Sequence, residues 1–440
     1  MKKANLKLRF PPEWGIEPVL KDAKMLRGVD TFVLWFSVGI GLLVIQAGAF
    51  LTLPLELGGF GLSLPTAFLI SLAGSFIGSI VLSLAGIIGS REGVTSMVSL
   101  RPAFGLSGSY FLSFLNIILC IGWTIFEIVI MGEAATTISG NFIGTFTKYM
   151  WFVFFALLAF FMASSGPLTV VRQWLEKFAV WLALGGAILV TYNIFHEIST
   201  TALIRNAPQS VQFSSILLAL DLVIAMPVSW LPLISDYNRF VRKERESFFG
   251  TLLGYTTANT WFYFLGAMLA VAYPKQTITY SMAILPLGLF GLFLILADEP
   301  DNAFADIYSA TLSIQNILPG KKQRRIALII ALLSLLIACL IPIVQYENFL
   351  LLIGASFVPV FGVIFSDYFL KNKGNYSEEQ LYPVNPCINW RAIIAWAIGF
   401  LTYYYFAYIN IIFAATFPSL IVAFGLYTIL SSLKGGKNKT

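Results

Sequence analysis

Residues 225–232 read AMPVSWLP, and residues 39–48 read GIGLLVIQAG. Each stretch lies inside a long apolar run and is badly suited to remain helical. Pro227 and Pro232 remove backbone donors and crowd the preceding turn, while Gly39, Gly41 and Gly48 loosen the other stretch. A continuous transmembrane helix satisfies its own backbone, so a break frees carbonyls and N–H groups that must find another partner. Working outward from these stretches, apolar segments fall at 30–53, 65–89, 104–131, 148–166, 174–195, 214–236, 247–273, 284–311, 325–344, 346–367, 389–408 and 411–433. The two interrupted stretches then belong to segments one and six, the first members of two five-segment halves. Interruption at matching points of two halves is the mark of an inverted-repeat membrane fold.

Composition agrees with that reading. Of 440 residues, 58% are hydrophobic and 11% are charged, and the mean hydropathy is +0.81. A soluble globular chain carries about 25% charged residues. The expected fold class is an all-α polytopic membrane protein of twelve helices: a cytoplasmic arm at 1–29, five-helix repeats at 30–195 and 214–367, two additional helices at 389–433 and a tail at 434–440. With both termini in the cytoplasm, all but three of the 28 Lys and Arg residues fall on the cytoplasmic side; the exceptions are Lys148, Arg205 and Lys275. This asymmetry follows the positive-inside rule, and the expected location is the cell membrane. The arm contains Pro11-Pro12-Glu13 but no apolar core before a cleavage site, so it is not a signal peptide.

Several function classes are set aside by the same residues. The net charge of +6 sits in cytoplasmic loops facing anionic lipid, so no nucleic-acid partner is implied, and no obligate protein partner is inferred. Cys120, Cys339 and Cys387 show no paired spacing, and His196 is the only histidine; neither a zinc site nor a disulfide framework follows. No HExxH pattern, Ser-His or Cys-His arrangement, or GxxxxGK[ST] motif is present, so the chain is read neither as an enzyme nor as an ATP-driven pump. No cofactor is expected. Ser71, Gly74 and Gly78 form a small-residue stripe that suits close helix packing.

Carboxylates stand where such a chain accommodates them least. Glu127 follows Trp123 by four residues, so the two share a helix face. A planar heteroaromatic ring can stack on the indole while the carboxylate accepts hydrogen bonds from the ring edge. In segment eight the run Asp298-Glu299-Pro300-Asp301-Asn302 falls near mid-span, with Asn302 and Asp306 on one face. Pro300 frees the Leu296 carbonyl, and an oxygen-rich site of this kind suits Na⁺, while adjacent carboxyls in a low dielectric also suit a proton. Intramembrane carboxylates of this kind mark ion or substrate sites. Asp236 and Arg239 close segment six as a gate or cytoplasmic ion pair, and Asp221 is a vestibule residue or a partner of Arg205 or of a backbone N–H.

The chain resembles the nucleobase:cation symporter-1 family of cytosine, purine, hydantoin and thiamine permeases. The resemblance is carried by Gly93-Val94-Thr95, Arg101-Pro102-Ala103-Phe104-Gly105, Gly122-Trp123 and Ser235-Asp236-Tyr237-Asn238-Arg239-Phe240. It continues in Asp301-Asn302-Ala303 and in Pro359 with Gly362-Val363-Ile364-Phe365-Ser366-Asp367-Tyr368. It implies a LeuT-like architecture, a five-plus-five inverted repeat plus two C-terminal helices, working by alternating access. It also implies that Trp123 stacks the heterocycle and Glu127 binds its edge. Gln46, Pro227, Ser229, Trp230 and Asn302 complete the substrate-binding set. Cation coupling, by Na⁺ or H⁺, falls to Leu42 and Ile45 with Asp298 and Glu299. Where relatives carry hydroxyl and amide side chains, this chain has Asp298-Glu299-Pro300, which opens the choice of ion. Glu127 in place of an amide favours a donor edge, as in cytosine, hydroxymethylpyrimidine or thiamine. The expected function is therefore a symporter of a nucleobase or related aminopyrimidine; the alternative is a symporter of the same fold for amino acids or other small solutes.

Overall fold

The computed structural model describes residues 13–197, 212–340 and 346–433. Within them the chain is helical, with one isolated bridge between Leu26 and Val241. Seven helices are long and apolar enough to cross a membrane, and an eighth such span is a bent pair. That pair is α1 (Gly28–Val38) and α2 (Leu42–Thr52), which meet at 60°. The break falls on Gly39-Ile40-Gly41, where the sequence places it. Then follow α3 (Leu64–Glu92), α4 (Leu106–Ser139), α5 (Phe146–Ser165) and α6 (Pro167–His196).

The second broken stretch is also as expected. Helix α7 (Phe213–Val228) ends one residue after Pro227, and irregular turns lead to the short α8 (Ile234–Asn238). After α9 (Glu244–Ala272) and a short α10 (Ile278–Ala283), segment eight departs from expectation. In place of one helix over 284–311 there are two, α11 (Gly288–Leu296) and α12 (Pro300–Ile317), separated by Ala297-Asp298-Glu299. Pro300 starts α12, where its missing N–H leaves no vacancy. Although the first helix ends at Leu296, Asp298 and Glu299 are each only 1% exposed. The chain closes with α13 (Gln323–Leu340), α14 (Tyr346–Phe365), α15 (Trp390–Tyr404) and α16 (Thr416–Ser432).

Helix α9 is the central post, packed against α1, α2 and α3, while α12 packs against α4 and α14 to α16 form a group of their own. Small residues set the closest crossings. A side chain at Gly48 would strike the Tyr263 backbone, and one at Gly266 would strike the Ile45 carbonyl, so α2 and α9 meet backbone to backbone. The stripe on α3 does the same for α7: Gly74 faces Val223 and Gly78 faces Pro227. Asp221 on α7 accepts the backbone N–H groups of Ala415 and Thr416, capping α16. Its partner is thus a backbone N–H, while Arg205 lies outside the described residues. The buried Asp367 accepts from Tyr427 (2.7 Å) and Tyr376 (3.0 Å), tying the end of α14 to α16.

Candidate functional site

The two expected breaks and the unexpected one converge. Around the first, the Ser37 hydroxyl donates to both carboxyl oxygens of Asp298 (2.8 and 2.9 Å), and the Leu42 N–H donates to both oxygens of Glu299 (2.9 and 3.0 Å). The Leu42 N–H is freed because α2 starts there, so the break creates the donor that holds Glu299. The Asn302 amide donates to the Ile40 carbonyl (3.3 Å). Asp301, 1% exposed, has no protein partner on either carboxyl oxygen. Among the described residues no three His, Cys, Asp or Glu side chains are grouped to hold a metal ion.

Beside this junction lies a narrow cavity of ≈ 20 Å³, room for about one water, so a larger ligand enters only as its walls move apart. Helix α4 contributes Trp123 and Glu127, and the second break contributes Met226, Ser229 and Trp230. Helix α12 adds Asn302 and Asp306, and α9 adds Tyr255. Trp123 packs edge-on against Phe349, with ring centroids 5.7 Å apart. Trp230 meets Trp35 edge-on at 6.0 Å. Glu127 is 5% exposed, and its Oε2 has no protein partner. The cavity therefore combines flat aromatic walls with carboxyl groups, and no Lys, Arg or His lines it.

The structure distributes the sequence candidates unevenly. Trp123, Glu127, Ser229, Trp230 and Asn302 share the cavity. Pro227 does not line it: its ring packs against Gly78 of α3, and its role is to end α7. Gln46 is also elsewhere. It lines a separate open pocket with Glu133, Tyr273 and Gln276, further along α2 and α4 than the cavity. Of the coupling candidates, Asp298, Glu299 and Leu42 meet at the first break, but Leu42 offers its N–H to Glu299 there. The Ile45 carbonyl faces Gly266 of α9. Tyr255 and Asp306 lie in the cavity without having been singled out as substrate residues; Asp306 follows Asn302 by one helical turn, the signal available for it.

On the side carrying the N-terminal arm, the cavity is sealed. The Trp35 indole donates to Asn238 (2.8 Å), and the Tyr237 hydroxyl donates to the Ala305 carbonyl (2.8 Å). Asp236 and Arg239 do not form an ion pair with one another. Asp236 accepts from the Ser96 N–H (2.9 Å), whereas Arg239 donates to the carbonyls of Gly15 and Trp14 and to the Tyr308 hydroxyl. The arm is fastened at further points: Val19 N–H to Gly93 (2.8 Å), Tyr382 hydroxyl to the Ile16 carbonyl (2.8 Å) and Gln323 amide to the Trp14 carbonyl (3.2 Å).

Residues 18–426 match the family model described as permease for cytosine/purines, uracil, thiamine, allantoin. A putative purine-cytosine permease of Bacillus subtilis (strain 168), YxlA, is 21% identical over 410 residues, covering 88% of this chain and 86% of the relative. The cytosine permease of Escherichia coli (strain K12) is 27% identical over 353 residues, covering 78% of each chain. Among solved structures, Mhp1, a nucleobase-cation-symport-1 family transporter in a closed conformation with bromovinylhydantoin bound, superposes with a TM-score of 0.79. That likeness covers 96% of this chain and 95% of the other at 18% identity. The fold is thus the all-α LeuT-like transporter fold that the resemblance implied, and the chain is a multi-pass membrane protein.

Proposed function

This chain belongs to the family of permeases for cytosine/purines, uracil, thiamine and allantoin, and we propose that it is a cation-coupled secondary transporter importing a nucleobase or related aminopyrimidine by alternating access. The observation that carries the reading is the central cavity, where Trp123, Trp230 and Tyr255 supply flat walls and Glu127 presents an unpartnered carboxyl oxygen. Stacking on such walls contributes about 1–3 kcal/mol per ring, and a buried carboxyl lacking a protein donor accepts from a ring amine or N–H. The coupling cation, Na⁺ or a proton, is assigned to Asp298, Glu299 and Asp301 beside the broken backbone of α1–α2. The repeats are taken as residues 30–195 and 214–367, with the arm and tail in the cytoplasm of a cell-membrane protein. In that orientation the pocket around Gln46 and Tyr273 is the outer vestibule, and the arm closes the inner side. Three aromatic walls disfavour an aliphatic amino acid.

Purified protein in liposomes should accumulate labelled cytosine, hydroxymethylpyrimidine or a purine under an imposed inward cation gradient, and Glu127→Ala should abolish accumulation. Sodium and pH gradients imposed separately identify the ion. If a panel of heterocycles neither accumulates nor shifts thermal stability, the reading fails.

A further inference from the structure

Asp306 is a buried acid of α12. It is 3% exposed, lines the central cavity one turn beyond Asn302, and makes no hydrogen bond or ion pair with any described residue. Of the other buried acids nearby, Asp298 is engaged by Ser37, Glu299 by Leu42 and Asp236 by Ser96, while Asp301, which does not line the cavity, is bare at the α1–α2 break. The same cavity holds Glu127, whose carboxyl meets that of Glu299 while its Oε2 stays bare, and no basic side chain lines it. Two carboxyl groups facing one small apolar space are costly when nothing compensates them. The rings of Trp123, Trp230 and Tyr255 line the same cavity, and the face of an aromatic ring attracts a cation. An aromatic enclosure with two acids at its edge is built for positive charge on the ligand, whereas a neutral ring leaves one acid unanswered.

Resting on the permease reading above, we propose that the substrate of this chain is a heteroaromatic cation bearing N–H donors, held between Glu127 and Asp306 within the aromatic walls. Asp306 is then a specificity-determining residue. One carboxyl receives the amino edge and the other faces the charged part of the ring, so a neutral nucleobase satisfies only half of the site.

The test uses a pair of probes of equal shape. 4-Amino-1-methylpyridinium and 4-methylaniline differ in one ring atom, and at pH 7.5 only the first is charged. Binding to the full-length protein in nanodiscs is measured by equilibrium dialysis, with cytosine as the neutral nucleobase. The wild type should bind the pyridinium at least thirty-fold more tightly than 4-methylaniline. Asp306→Asn should lower that ratio at least ten-fold, with folding checked by thermal unfolding. The wild-type ratio needs no variant, so a misfolded Asp306→Asn does not remove the test. Equal binding of the two probes, or cytosine binding tighter than the cation, overturns the proposal and leaves the permease reading standing. Failure of all three ligands together with a wider nucleobase panel overturns both.

Discussion

At the scale of single residues, the buried acids divide into those with protein donors and those with bare oxygens. Asp221 and Asp367 are buried acids with a full set of protein donors, whereas Glu127 and Asp301 have bare carboxyl oxygens. Truncating Trp123 to Ala removes a stacking wall without touching the broken backbone. Substrate affinity should fall by roughly ten- to a hundred-fold, the equivalent of about 1.4–2.8 kcal/mol, as read by ligand titration; unchanged affinity would place the ring elsewhere. Trp123 and Glu127 were legible in the sequence because helical spacing alone puts them on one face. Gln46 was not, since spacing along α2 gives no direction once the helix has turned by 60° at Gly39-Ile40-Gly41. Tyr255 gave no signal because it stands in an ordinary apolar segment, and its position depends on how α9 crosses α1.

At the scale of elements, three broken spans position the site. The first two were legible because Gly39, Gly41 and Pro227 are poor helix residues. The third was hidden: Pro300 sits at the start of a new helix, where proline is tolerated, and apolar residues continue on both sides. What makes the third break possible is long-range. The α2 N-terminus supplies the Leu42 N–H to Glu299 and α1 supplies the Ser37 hydroxyl to Asp298, contacts no local pattern announces. Asp298→Asn keeps the shape of this junction and removes its charge, so uptake should lose its dependence on the driving gradient. Unchanged gradient dependence would make the carboxylate structural. The crossing of α2 and α9 is the tightest constraint on the first break, so Gly266→Ala should destabilise the protein by about 1–3 kcal/mol through overpacking, seen as a lowered Tm in detergent. An unchanged Tm would show that the crossing relaxes freely.

At the scale of the whole molecule, the arm makes one side of the bundle different from the other. Carbonyls of Trp14, Gly15 and Ile16 are gathered by Arg239, Tyr308, Gln323 and Tyr382, and Trp14 packs edge-on against Phe240 at 5.3 Å. The acceptors are backbone atoms, so composition of the arm carried no hint of the contact. Alternating access requires this face to open, and weakening the arm should favour that state. In a background with Cys339 and Cys387 replaced by Ser, the buried Ser309→Cys should react faster with a thiol reagent when Trp14→Ala is added. An unaltered rate would mean that the arm does not hold this face closed. The overall fold was more legible than the site, because apolar segments and the distribution of Lys and Arg depend on the bilayer, while the cavity depends on side chains from α4, α7, α9 and α12 meeting across it.

In the function proposed above, the substrate ring lies between the aromatic walls of the central cavity and is read by Glu127. A map of the protein bound to a transported heterocycle, at a resolution that shows ring density, tests this most directly. The expected density is a ring stacked on Trp123 with its donor edge within hydrogen-bond distance of Glu127. Density confined to the pocket around Gln46, Glu133 and Tyr273, with the central cavity empty, would contradict it.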